Sequence, residues 1–240
     1  MKIHRFYIET DYSNKKIKFD DGELLNQLKK VLRLRIGDSV VLFNKEGKEF
    51  KASIESYTSK GCVFNITKIK ENNREIKNTV LLYCSILKRD NFEFVVQKAT
   101  EIGIDRITPI VTSRTIKFDL RSDRLGKIIK EASEQSGRVK LPILSDKISL
   151  KESMDSAKKN NAINIFFDSA GKNINELMGK NKIGNKKNQI GIFIGPEGGW
   201  TNEELELAKK SNFKIISLGE TTLRAETAAI ISTYISVNLI

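Results

Sequence analysis

The spacing of apolar residues changes rhythm about a third of the way along the chain. In the first part, apolar and polar residues alternate over short runs separated by glycine-bearing turns. Residues 3–8, 37–43, 49–57 and 62–70 read as strands, with turns at 45–48 and 59–61. Residues 22–34 read as a helix, because Leu24, Leu25, Leu28, Val31 and Leu32 fall on one helical face. Short strands closely joined by glycine turns predict a small β-barrel. Residues 71–78 are polar and without periodicity, and read as a linker.

From residue 79 strands and helices alternate. Apolar runs rich in β-branched residues predict strands over 80–87, 107–111, 163–167, 190–194 and 213–218. Residues 91–102 predict a helix with Phe94, Val95, Lys98 and Ala99 at helical spacing, and Gly103 just past its end. A second helix is predicted over 123–136. A third opens at Thr201 or Asn202, followed by Glu203, Glu204 and Glu206, and a last one runs toward Ile240. The polar, Lys-rich residues 180–188 read as a loop. This alternation predicts an α/β region with a mostly parallel sheet and helices on both faces. The expected domains are 1–72 and 73–240.

Three strand ends in this second region carry candidate chemistry. Phe167 leads into Asp168 and Ser169, Ile194 into Gly195-Pro196-Glu197-Gly198-Gly199, and Leu218 into Gly219. Open α/β sheets place their ligands at the carboxyl ends of strands. Taken alone, Gly195 to Gly199 fit a ligand-free strand-to-helix connection equally well. Arg224 and Glu226 fit a surface ion pair.

Composition narrows the partners. The chain has 240 residues, room for one large or two small domains. Lys and Arg number 42 against 30 Asp and Glu, a net charge of +12 that favours a polyanionic partner. The predominance of Lys over Arg favours phosphate contact over base reading. Cys62 and Cys84 lack metal-ligand spacing and read as buried free thiols of a reducing compartment. His4 is the only histidine, which argues against a histidine-based metal site. The amino terminus has no apolar signal core, and no run approaches the ~20 apolar residues of a membrane span. A cytoplasmic protein without metal or membrane attachment is expected.

Gly195-Pro196-Glu197-Gly198-Gly199, followed by Leu218-Gly219 and by Leu223-Arg224-Ala225-Glu226-Thr227-Ala228, resembles the signature of the SPOUT class of RNA methyltransferases. More closely, it is similar to the family that methylates N3 of a uridine in 16S ribosomal RNA. Residues 88–103 and 131–138, with Pro142 beyond, also match that family, so the resemblance spans nearly the whole chain. Two features depart from the family pattern. Asn26 and Gln27 stand where histidines are usual, and no Trp precedes Gln135.

The resemblance implies a SPOUT α/β fold with a carboxyl-terminal trefoil knot, preceded by a PUA-like RNA-binding barrel. It implies S-adenosylmethionine as cofactor, 16S ribosomal RNA of the small subunit as partner, and a homodimer. Cofactor contacts are implied for Phe167, Asp168, Ser169, Ile194, Gly195, Pro196, Glu197, Gly198, Gly199, Leu218, Gly219, Leu223, Arg224, Thr227 and Ala228. Arg224 is implied as a stabiliser of charge on the uracil, and Glu226 and Glu197 as carboxylates for proton removal or positioning. RNA contact is expected for Arg5 and Arg33, which combine cations with an aromatic ring, and for the family-like positions Lys88, Arg89, Arg114 and Arg138, where a solvated face or ion pairs that stabilise the packing are the alternative; for Arg114 and Arg138 the two fit equally well. The apolar face of the last helix, with Ala228, Ile231, Ile235 and Leu239, fits either a dimer contact or burial within one chain. Ribose 2′-O methylation of RNA and a non-catalytic RNA-binding assembly factor are the alternatives. A nicotinamide-dependent oxidoreductase is disfavoured, since no G-x-G-x-x-G follows the first strand of the α/β region.

Overall fold

The computed structural model describes residues 3–71, 78–116, 119–159, 163–175 and 189–238. Most of the expected linker 71–78, the loop 180–188 and Leu239 lie outside them. The chain divides into two compact units, Met1–Arg74 with Ser133–Leu141, and Glu75–Ala132 with Pro142–Ile240.

In the first unit five strands form one sheet: β1 (His4–Tyr7), β2 (Lys16–Phe19), β3 (Ser39–Phe43), β4 (Lys48–Tyr57) and β5 (Cys62–Glu71). Their spatial order is β1-β3-β4-β5-β2, and only the β1–β3 pair is parallel. Alternation places Phe50, Ala52 and Ile54 of β4 in one core with Val40, Leu42, Phe64 and Ile66. β2 is too short for its alternation to register in the sequence, and Ile17 is its one buried residue.

The helix expected over 22–34 is interrupted. Asp21 caps α1 (Gly22–Asn26) by accepting from the Leu24 N–H at 3.0 Å. Gln27–Val31 then widens into a π-helical turn, closed by the Leu32 N–H on the Gln27 carbonyl at 2.9 Å. The wider turn rotates the apolar stripe, so Leu24 and Leu28 are buried while Val31 is 66% exposed. Arg33 follows with φ 54°, in the left-handed region.

The second unit holds a seven-stranded, all-parallel sheet. Its strands are β6 (Thr79–Ser85), β7 (Arg106–Val111), β8 (Ile143–Leu144), β9 (Ile148–Ser149), β10 (Ile163–Asn173), β11 (Gln189–Ile194) and β12 (Lys214–Ser217). The order is β12-β10-β11-β6-β7-β8, with β9 also on β7. The helices are α2 (Arg89–Ile102), α3 (Ser122–Ser136), α4 (Leu150–Lys159), α5 (Asn202–Lys210) and α6 (Ala225–Asn238). The trefoil knot is a property of how the backbone threads, which strand order alone does not define.

Register explains the two covered faces. Phe166, Phe193 and Tyr83 are aligned across β10, β11 and β6, and their rings stack at 4.7 and 4.5 Å. They share a core with Leu150, Met154 and Ala157 of α4 and Ala208 of α5. Ile165, Ile192 and Leu82, one residue out of phase, are fully buried on the opposite face. There α6 packs on β6, β11 and α2. The residues that α2 and α6 bury include small and hydroxyl ones, Ala99 and Thr100 in α2 and Ala229, Ser232 and Thr233 in α6. Their hydroxyls bond back to their own helix, as Thr233 Oγ1 does to the Ala229 carbonyl at 2.7 Å. Of the residues at helical spacing in α2, Val95 and Ala99 are buried, with Phe92 and Val96, while Phe94 is 45% exposed.

Two features depart from the sequence pattern. α4 was not expected, although Leu150, Ser153, Met154 and Ala157 form a helical stripe. The strand expected to end at Phe167 continues to Asn173 after an irregularity, because both Phe167 and Lys172 pair with Ile216. Residues 168–171 bulge out between those pairings. A Cβ on Gly171 would stand 2.5 Å from the Ile216 nitrogen, so only glycine allows β10 and β12 to approach this closely.

Candidate active site

Because every strand of the second sheet is parallel, all their carboxyl ends lie along one edge. A cleft of about 720 Å³ opens there at the ends of β10, β11 and β12. Its walls are Phe167, Asp168 and Ser169 of the β10 bulge, Ile194 to Trp200 after β11, and Ser217, Leu218 and Thr221 to Glu226 after β12. Lys88 and Asn91 close one side, and Ala228 reaches in from α6.

The loop after β11 is held from three neighbouring strand ends. Beyond β6, the Lys88 N–H donates to Glu197 Oε1 at 3.0 Å, which puts a carboxylate at the amino end of α2. Beyond β7, the Ser113 N–H donates to Glu204 Oε1 at 2.9 Å, while the Thr201 N–H donates to Glu204 Oε2 at 2.9 Å. Glu204 is buried, and with Thr201 it forms a reciprocal cap for α5. Beneath the cleft, Trp200 Nε1–H donates to the Phe167 carbonyl at 3.0 Å, and its ring packs on Phe166 at 4.6 Å. Gly199 turns the chain into this cap at φ 69°, a conformation that favours glycine.

Arg224 and Glu226 are different. Both line the cleft, at the entry to α6 and in its first turn, and neither side chain has an ion-pair or hydrogen-bond partner among the described residues. A cation and a carboxylate so placed at a cleft rim can meet a ligand.

Of the residues expected at the cofactor, Gly219 and Thr227 do not line the cleft; the others do. Asn91, Trp200, Ser217, Thr221, Thr222 and Ala225 line it without having been singled out. Trp200, next to Gly198-Gly199 and the only tryptophan, carried the clearest signal among them.

The six expected RNA contacts fall into different environments. Arg5 is committed inside the first unit: it pairs with Glu49, donates to the Arg138 carbonyl at 2.9 Å and lies 4.9 Å over the Phe43 ring. Arg114 donates to the carbonyls of Gly198 and Trp200. Arg89 is exposed and 3.5 Å from Glu93. Arg33 and Lys88 are exposed, and Arg138 is half-buried. Both cysteines are buried; burial pushes the Cys62 thiol up to about 12 and raises that of Cys84 further. Among the described residues no cluster of three or more His, Cys, Asp or Glu suits a metal ion, and no helix is long and apolar enough to cross a membrane.

A glycine-walled cleft at the strand ends of a parallel α/β sheet is the layout of a protein that holds a small ligand against its backbone. Residues 74–236 match the family described as RNA methyltransferase domain, and residues 20–67 match the RNA methyltransferase PUA domain; the chain belongs to the RNA methyltransferase family. It is 36% identical over 234 residues to the ribosomal RNA small subunit methyltransferase E of Rickettsia conorii, covering 96% of this chain and 93% of that protein. Among solved structures it is similar to a methyltransferase of Legionella pneumophila in complex with the bound cofactor SAM. That match has a TM-score of 0.84 and 30% identity, and covers 98% and 97% of the two chains. It is also similar to the ribosomal RNA small subunit methyltransferase E of Neisseria gonorrhoeae bound to S-adenosyl methionine. Here the TM-score is 0.81 and the identity 27%, with 97% and 95% covered.

Proposed function

We propose that the chain is an S-adenosylmethionine-dependent methyltransferase acting on N3 of a uridine in 16S ribosomal RNA of the small subunit. The observation that carries this is the cleft, at whose rim the Arg224 and Glu226 side chains have no ion-pair or hydrogen-bond partner among the described residues. Its size falls in the range of roughly 300–1,000 Å³ usual for ligand sites. The chain's own residues fit the cofactor: Ile194, Leu218 and Leu223 offer apolar walls for an adenine, and Gly195 to Gly199 bring backbone groups close. Asp168 and Ser169 add polar atoms. When bound, S-adenosylmethionine supplies a methyl group on a positively charged sulfur.

The protein's task is to align the acceptor and manage its proton. Uracil N3 is an imide nitrogen that becomes nucleophilic on losing its proton. Arg224 stabilises the negative charge that this leaves on the uracil carbonyls. Glu226 accepts or holds the N3 proton. Glu197, already accepting from the Lys88 N–H, positions the loop rather than the proton. Residues 1–72 bind RNA and 73–240 carry the reaction, with Arg33, Lys88, Arg89 and Arg138 as RNA contacts. The protein acts in the cytoplasm as a homodimer. Supporting the dimer, Ile231 and Tyr234 of α6 are 36% and 53% exposed, while the helix buries its hydroxyl-bearing face.

The test is transfer of labelled methyl from S-adenosylmethionine to small-subunit RNA, with the product nucleoside identified by mass spectrometry. Arg224→Ala is expected to lower kcat about 10²–10³-fold, as loss of a charge-stabilising donor does, while the RNA fragment still binds. Label on a ribose, or unchanged turnover in Arg224→Ala, refutes the assignment.

A further inference from the structure

Arg114 reads in the sequence as one more cation for RNA, but its geometry has another use. It follows β7, in the turn that also holds Ser113. Its Nη1 donates to the Gly198 carbonyl at 2.7 Å and to the Trp200 carbonyl at 3.2 Å. Its methylene stem lies flat on Gly198, where a Cβ would stand 3.3 Å from Arg114 Cδ. One nitrogen therefore spans the two carbonyls that flank Gly199, the residue at φ 69°. Charge-assisted bonds to two carbonyls on either side of a left-handed glycine hold that turn in one conformation. The backbone so held forms a wall of the cleft.

We infer that Arg114 is a positioning residue of the methyl-donor site: it clamps the Gly198–Trp200 turn into the shape that receives the donor. This rests on the reading of the cleft as an S-adenosylmethionine site. Glu197 of the same loop accepts from the Lys88 N–H beyond β6 at 3.0 Å, so the loop has a second tether independent of Arg114. Neither residue reaches the reacting atoms in this role. Without the clamp the turn samples other conformations, and the donor must select the competent one at a cost in affinity.

The experiment uses the full-length protein with Arg114→Gln and Arg114→Lys. Three quantities are read: hydrogen exchange of the 198–201 amides without ligand, calorimetric affinity for S-adenosylmethionine, and affinity for a 16S ribosomal RNA transcript. Arg114→Gln is expected to speed exchange at these amides and to weaken donor affinity roughly tenfold. KM for the donor rises in step, while kcat at saturating donor and RNA affinity stay near wild type. Arg114→Lys recovers part of the loss, because an ammonium still donates to one carbonyl. Unchanged exchange overturns the proposal, and so does weaker RNA binding with donor affinity intact. If the wild-type protein binds no donor, the functional reading fails on its own, and the exchange measurement still decides whether Arg114 holds the turn. Thermal melting of each variant guards against a folding defect, which exposed Arg114 is not expected to cause.

Discussion

Gly171→Ala tests whether the cleft depends on the close approach of two backbones. A Cβ there would lie 2.5 Å from the nitrogen of Ile216 and 2.6 Å from its carbonyl carbon. Neither atom belongs to a side chain that can rotate away, so β10 or β12 must move. Overpacking of this kind costs about 1–3 kcal/mol. The movement passes to Asp168 and Ser169, which share the bulge and line the cleft. Gly126→Ala is the matched contrast: it lies inside α3, exposed, with nothing within 4 Å of a Cβ. Replacing a glycine at such a helix position stabilises by about 0.5–1 kcal/mol. Both glycines and Trp200, the only tryptophan, belong to the second unit. Tryptophan fluorescence in urea therefore follows that unit alone, which a two-domain chain requires for a two-state treatment. The two variants should separate by about 1.5–4 kcal/mol, with Gly126→Ala the more stable. Only Gly171→Ala should also lose affinity for S-adenosylmethionine. A Gly171→Ala protein with wild-type midpoint and donor affinity would refute the reasoning.

Three further outcomes are expected. Glu204→Gln leaves one oxygen where two now accept the Ser113 and Thr201 N–H groups, so one of those donors faces an amide N–H. The cost is about 1–3 kcal/mol, read from the same urea curves, and an unchanged midpoint would contradict it. Burial that lifts the Cys62 thiol to about 12 leaves roughly one thiolate in 10⁴ at pH 8, and Cys84 has fewer still. An aromatic disulfide reagent should therefore label neither cysteine in the folded protein and both in urea; rapid labelling without urea would show the thiols to be accessible. If a second copy covers the exposed α6 face, Ile231→Asp should convert a dimer to a monomer in light scattering, and a monomeric wild-type chain would remove that contact.

The strand-and-helix alternation was legible because strands buried on both faces read as continuous apolar runs. The glycine loops were legible because Gly195 to Gly199 stand directly after such a run. What escaped was set by partners distant in sequence. The bulge at 168–171 exists through contact with Ile216, and no local pattern around Asp168 announces it. The π-helical turn at Gln27–Val31 escaped because its apolar spacing is also that of an ordinary helix. The protein contacts of Arg5 and Arg114, like the bulge, depend on distant partners. A cation in a basic chain reads as available, whereas Arg5 is taken up by Glu49 and Arg114 by carbonyls 84 and 86 residues away.

The hydrogen-bond partners of the cleft residues separate two kinds of side chain. Glu197, Trp200, Glu204 and Arg114 each spend their polar atoms on another part of the protein, and together they tie the loop after β11 to the ends of β6, β7 and β10. A wall held this way is formed before the donor arrives, so little ordering is left to oppose binding. Arg224 and Glu226 have no such commitment among the described residues, so redirecting them toward an acceptor base breaks no tether described there. Substitutions should therefore divide along the same line. Loosening the tethers should weaken the donor while sparing turnover at saturation, and changing Arg224 or Glu226 should slow turnover while sparing the donor. The division would not survive if Arg224→Ala and Arg114→Gln gave the same kinetic signature.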